Sequence, residues 1–191
     1  MKKIHAFDEV FDAQKLFRNI LTAMSNPTKS INIQEYSDKL YGGAPDFLAL
    51  ALTLLDNEVG FYTGGDETLS SEIRSLTLGK KETLQDADFI FVSDTGTLRS
   101  VIKNAKCGTL RDPHKSATII VRIDESKEAQ LRLYGAGIDK IIEFQTSPIV
   151  KTALDIRDAQ YYEYPQGVDF IFVSQGGELF CLPRLTLREV Q

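Results

Sequence analysis

The sequence predicts an α/β protein: a three-layer α/β/α sandwich around a mixed sheet. Three observations predict it. Phe89–Val92 and residues 117–123 have the composition of strands covered on both faces, which favours parallel pairing with helices above and below. Helical and strand-like segments alternate through the first two-thirds of the chain. Later, residues 168–173 and 179–182 flank the tight turn Gln175-Gly176-Gly177-Glu178, and this hairpin makes the sheet mixed. A chain of 191 residues with 42% hydrophobic content is expected to fold as one domain over residues 1–191 and to bury a sizeable core.

The elements follow in order. Over residues 8–24, Val10, Ala13, Phe17, Ile20, Leu21 and Met24 recur at helical spacing, with Lys15, Arg18, Asn19 and Thr22 mostly opposite. Ser25-Asn26-Pro27 ends that helix, because proline disfavours helical geometry in the residue before it. A short strand follows at residues 30–33. Pro45 stands at a helix start. Residues 46–55 are apolar nearly all round, so their helix is buried on several sides. Residues 59–62 form a strand, Gly64-Gly65-Asp66 a turn and Glu67–Leu76 a helix. After the strand at Phe89–Val92 come a helix at 97–105 and a loop at 107–115. Residues 117–123 and the alternating 131–134 are expected to pair as a hairpin around the turn 125–128, closed by Gly135-Ala136-Gly137-Ile138. Residues 148–157 form a helix with proline near its start, and Tyr164-Pro165-Gln166-Gly167 is a turn.

Charge and composition exclude several function classes. A net charge of −5, with the longest basic runs the pairs Lys2-Lys3 and Lys80-Lys81, gives no attraction for a phosphate backbone, so no nucleic-acid partner is expected. Cys107 and Cys181 form no CxxC, and His5 and His114 are the only histidines, too few for a zinc site or a disulfide framework. Two lone cysteines fit a reducing cytosol. The first residues lack the apolar core of a signal peptide, since Asp8, Glu9 and Asp12 interrupt it. The longest apolar run, 47–55, is far shorter than the roughly 20 residues of a membrane span. A cytoplasmic protein with no membrane contact, no metal and no cofactor is expected.

No motif assembles a catalytic centre. Gly79-Lys80 is not a phosphate loop, because Arg74 stands where the first glycine belongs and Lys81 follows. Gly135-Ala136-Gly137 lacks the third glycine of a dinucleotide fingerprint, having Lys140 there. Ser100-Val101-Ile102-Lys103 has the spacing of a serine acyl-enzyme but neither partner motif. Cys107 and His114 share a loop, and a thiolate nucleophile needs its base within hydrogen-bond reach. Asp86 and Asp88 lie before the strand Phe89–Val92, not at the carboxyl end where α/β sites form. Arg18, Arg99, Arg111, Arg132, Arg157 and Arg184 are each able to bind a phosphate or phosphonate. Arg184, at a strand end after Pro183, is the best single candidate for substrate binding; no catalytic residue is assigned.

Several stretches together resemble one family. They are Asp12-Ala13-Gln14 through Phe17-Arg18, Leu21, Ala23-Met24-Ser25 and Pro27; Leu54-Leu55-Asp56; Gly108-Thr109 with Pro113 and Ala117-Thr118-Ile119; Leu133-Tyr134-Gly135-Ala136-Gly137-Ile138; Tyr164-Pro165 with Gly167-Val168-Asp169; and Leu182-Pro183-Arg184. Their order and spacing resemble the PhnH family, the H subunit of the bacterial carbon–phosphorus lyase system. Thr28 and Ala136 depart from the glycine and proline that the family often has there.

The resemblance implies a fold like the large domain of pyridoxal-phosphate-dependent transferases, without the cofactor. It implies a homodimer that joins the G, I and J subunits in a core complex. It also implies support, with the G, I and L proteins, for transfer of ribose triphosphate from ATP to an alkylphosphonate, before the J subunit cleaves the carbon–phosphorus bond. The resemblance carries over no catalytic residue. The alternative is a free-standing enzyme of transferase-like fold using pyridoxal phosphate on Lys103, Lys106, Lys115 or Lys140.

Overall fold

The computed structural model describes residues 5–189; the Lys2–Lys3 pair lies outside them. In chain order the elements begin with α1 (Phe11–Ser25), β1 (Ile31–Asn32), α2 (Gln34–Ser37), α3 (Pro45–Leu54), β2 (Gly60–Tyr62) and α4 (Glu67–Leu76). Next come β3 (Lys80–Lys81), β4 (Phe89–Val92), α5 (Leu98–Asn104), β5 (Thr118–Ile123), β6 (Ala129–Gly135) and β7 (Ile138–Thr146). The last are α6 (Pro148–Asp158), β8 (Asp169–Ser174), β9 (Glu178–Leu182) and β10 (Thr186–Arg188).

Seven strands form a mixed sheet in the order β1-β9-β8-β5-β4-β2-β3. From β8 to β3 all pairings are parallel, and β9 is antiparallel to both neighbours. Register aligns Ile90, Ile119, Phe170 and Leu182 in one row and Phe91, Ile120, Ile171 and Cys181 in the next. Successive side chains point to opposite faces, so each row seeds its own core. The Phe91 row packs against Leu16 and Ile20 of α1, Tyr36 of α2, Phe47 and Leu50 of α3, and Ile73 of α4. The Ile90 row packs against Val101 of α5, Val150 and Leu154 of α6, and Leu131 and Leu133 of β6. A sheet with helices on both faces is thus what the apolar strands require.

The helix α3 is buried along most of its length. Asp46 to Ala51 are all buried, and Phe47 meets Phe91 edge-on at 5.5 Å between ring centroids. Arg122, near the end of β5, donates from Nε to Asp46 at 3.0 Å and from Nη2 at 2.5 Å. Its guanidinium also lies 4.5 Å over the Phe47 ring. The Arg122 charge is therefore largely covered, by a buried carboxylate in fork geometry and by an aromatic face.

Two expectations are corrected, and one strand is added. Phe17, Leu21 and Val10 were expected on the buried face of α1, yet they are 49%, 56% and 69% exposed, and Leu16, Ile20 and Ala23 face the core. Two apolar stripes lie side by side on this helix, and periodicity alone does not choose between them. The segments 117–123 and 131–134 do not pair with each other. β5 has its edges filled by β4 and β8, while β6 leaves for a second sheet of order β10-β6-β7. Both edges of β5 are taken by parallel neighbours, so no hairpin partner fits beside it. Gly135 to Ile138 does end β6, as expected, but it also turns the chain into the nine-residue β7, whose residues 139–143 are exposed and carry little apolar pattern. Among the described residues no helix is long and apolar enough to cross a membrane.

Candidate functional site

Five segments, separated in sequence, converge at the amino ends of the parallel strands. They are the end of α1 (Met24, Ser25), the loop before β5 (Pro113, His114), the β6–β7 turn (Ala136, Gly137), the start of β8 (Pro165, Asp169) and the chain after β9 (Pro183, Arg184, Leu185). Together they line a largely apolar cleft of 460 Å³. Close backbone approach holds them. A Cβ on Gly137, whose φ is +81°, would lie 2.8 Å from Ser25 O and from Pro27 Cδ. A Cβ on Gly108, at φ +75°, would lie 2.7 Å from Pro113 O. Only glycine takes these conformations without strain and leaves that room.

Arg184 crosses this junction. Its Nε donates to Asp169 Oδ1 at 3.2 Å, its Nη2 to Oδ2 at 2.5 Å, and its backbone N–H to Oδ1 at 2.7 Å. Nη1 donates to the carbonyl of Pro113. Three of the five guanidinium N–H donors are thereby taken. The side chains of Arg184 and Asp169 are 17% and 14% exposed. The pair ties the first residue of β8, the chain after β9 and the loop before β5 into one unit.

Arg184 and Leu185 also line a second cleft, of 320 Å³, whose other lining residues include Tyr134, Arg157, Tyr161, Tyr162, Tyr164, Leu187 and Arg188. The hydroxyl of Tyr162 donates to Ile102 O at 3.3 Å. Burial, with Cys107 nearby, pushes its phenol up to about 12. Of the arginines considered from sequence, the fold brings Arg157 and Arg184 together. Arg132 pairs with Glu189 elsewhere, while Arg18, Arg99 and Arg111 are exposed and line neither cleft. Sequence reading missed Arg188 and the three tyrosines 161, 162 and 164; the run Tyr161-Tyr162-Glu163-Tyr164 was a visible signal.

The remaining candidates have structural partners. Asp88 accepts from Lys106 Nζ at 2.5 Å and from the Gly60 N–H at 2.7 Å. Ser100 and Lys103 sit on α5, where Asn104 donates to Ser100 O. The Cys107 thiol contacts its neighbour's carbonyl, Gly108 O, at 3.6 Å. His114 lines the apolar cleft without a hydrogen-bonded carboxylate, so no acid–base relay is assembled on it. At the opposite, carboxyl ends of the strands, a cleft is lined by Ser93, Thr95, Arg122 and Glu125 among others. None of Lys103, Lys106, Lys115 or Lys140 lines it, and no group of three or more His, Cys, Asp or Glu able to hold a metal occurs among the described residues.

Five of the six stretches on which the family resemblance rests meet at the apolar cleft; Leu54-Leu55-Asp56, at the end of α3, does not. The sequence model of the bacterial phosphonate metabolism protein family, PhnH, matches residues 5–189. The chain belongs to the PhnH family. No protein with a curated description matches it. PhnH membership places the chain in phosphonate metabolism, and in this PhnH protein five of those stretches come together in the fold as one junction.

Proposed function

We propose that this protein is an organising, non-catalytic subunit of a carbon–phosphorus lyase assembly. It would support transfer of ribose triphosphate from ATP to an alkylphosphonate, in the cytoplasm, as a homodimer that joins the G, I and J subunits. Its sheet would be that of the large domain of pyridoxal-phosphate-dependent transferases, without the cofactor. The observation that carries this reading is the family match over residues 5–189. It is supported by the character of the junction: segments braced by glycine contacts and a closed Arg–Asp fork, with no nucleophile, base or metal cluster assembled beside them.

Deleting the gene is expected to abolish growth on methylphosphonate as sole phosphorus source while leaving growth on phosphate intact. Tagged protein is expected to co-purify with the G, I and J subunits. Normal growth on methylphosphonate, with no second copy of the gene, would refute the reading.

Arg184 carries a second, narrower proposal. Its two remaining N–H donors are at the junction of both clefts, where they suit a phosphonate or phosphate oxygen. Calorimetric titration of the assembled complex with methylphosphonate or ATP should then show weaker binding for Arg184→Ala. Equal affinities would remove this role.

A further inference from the structure

Helix α1 carries a second apolar face beyond the one the core uses. Leu16, Ile20 and Ala23 fill the core side. Phe17 and Leu21, with Val10 just before the helix, stay exposed. Together with Gln14 and Met24 these residues recur in steps of four, three, four and three. That is the spacing of a coiled-coil seam, a narrow stripe that meets one other helix. Met24, half-buried, carries the seam to the edge of the apolar cleft.

The charges beside the seam are sorted along it. Asp8 and Glu9 precede the first turn, and Lys15 and Arg18 stand on the middle of the helix. Asp12 lies between them but is buried and closed on Lys39. Glu9 and Arg18 are exposed and make no ion pair among the described residues. A helix lying antiparallel on this seam must present a base to Asp8 and Glu9 and an acid to Arg18. The same helix from a second copy does both at once. About a two-fold axis between Gln14 and Phe17, the acidic start of each copy lies toward Arg18 of the other, and Val10 of each lies against Leu21 of the other. A parallel alignment sets Arg18 beside Arg18, and it aligns the helix dipoles instead of opposing them. One patch that complements itself is what an isologous interface requires.

We propose that the outer face of α1 is an interface between two copies of this chain, packed antiparallel on Val10, Gln14, Phe17 and Leu21 with Glu9 of each copy toward Arg18 of the other. The charge complementarity of the helix with itself selects this occupant. The proposal rests on the homodimer in the reading above and deepens it by naming the surface.

Sedimentation of the full chain over a concentration series measures the dimer Kd. Phe17→Ala/Leu21→Ala shortens exposed side chains only. It is expected to raise Kd at least roughly tenfold, because a two-fold axis counts each loss twice. Arg18→Glu places like charges together and should raise Kd by a similar factor, while Glu9→Arg/Arg18→Glu restores the pairing and should return it to within roughly threefold of the parent. Tyr161→Ala/Tyr164→Ala, which removes exposed rings from the tyrosine-lined cleft, is the control and should leave Kd unchanged.

A parent that stays monomeric throughout the series overturns the proposal and the homodimer together. A parent dimer that Phe17→Ala/Leu21→Ala leaves intact overturns the proposal alone, as does an equal loss in the tyrosine control. An Arg18→Glu variant that dimerises like the parent, or whose defect the double swap fails to repair, overturns the antiparallel pairing.

Discussion

Replacing Arg184 by alanine separates a brace from a free ligand-binding arginine. The substitution removes both arms of the fork to Asp169 and the donor to Pro113 O. Asp169, 14% exposed in its side chain, keeps only the 2.7 Å bond from the backbone N–H of residue 184. Removing one partner of a buried ion pair costs about 3–5 kcal/mol, since the other charge is left without its counter-ion. The surviving backbone bond and the partial exposure put the expected loss near the lower end, about 3 kcal/mol. For a domain of this size that lowers Tm by about 6–12 °C. Urea denaturation of the parent, Arg184→Ala, Asp169→Asn and the double variant gives a thermodynamic cycle. A coupling of about 1–3 kcal/mol is expected. Arg184→Lys, which keeps the charge but not the fork, should fall between parent and alanine. A loss below about 1 kcal/mol for Arg184→Ala, the range of an exposed pair, would refute the brace.

Other outcomes follow from the same contacts. Asp46→Ala strands the Arg122 charge between α3 and β5 and should destabilise by about 3–5 kcal/mol in chemical denaturation, whereas Glu67→Ala, whose pair with Lys81 is exposed, should cost under about 1 kcal/mol. Gly137→Ala forces a methyl to 2.8 Å from Ser25 O at φ +81°, so α1 must part from the β6–β7 turn; a loss above about 1 kcal/mol is expected from the conformational strain alone, and thermal melts check it. Burial opposes ionisation of Asp12, but the Asp8 N–H and Lys39 outweigh it and hold the carboxyl below its ordinary 3.8. A depressed carboxylate stabilises above its unfolded pKa and loses that contribution as pH falls through the folded one. Lys39→Met should therefore cost stability at pH 7, with the gap to the parent closing as pH drops below 3.8 in acid titrations followed by circular dichroism. Burial, then Asp169, pushes the Cys181 thiol up to about 12, so a thiol reagent should label Cys107 in the native protein and Cys181 only after unfolding.

Local rules made much of the fold legible. Unbroken apolar runs at Phe89–Val92 and residues 170–173 carry their strand identity in composition, and proline at 45 and 148 marks two helix starts. The apolar Phe47 to Ala51 stretch needed no partner to be recognised as buried. The elements that sequence missed lack such signals. α2 has four residues, β3 is Lys80–Lys81, and β7 is an exposed strand of a second sheet.

By itself the sequence determined the class of the protein, a mixed α/β sheet covered by helices, because strand burial on both faces is written in consecutive residues. It also carried the family in stretches spread along nearly its whole length. Only the tertiary structure decided which stripe of α1 is buried, that β5 lies between β4 and β8 rather than beside β6, and that five of the family stretches meet at one junction. Those choices depend on contacts between residues far apart in the chain: Arg184 with Asp169 and Pro113, Gly137 with Ser25, Arg157 beside Thr186. Periodicity describes one element at a time, so it cannot say which arginine is closed on a carboxylate and which keeps a buried donor without a partner. Both Arg184 and Arg157 meet an aspartate, and only the contacts made in the tertiary structure tell their surroundings apart.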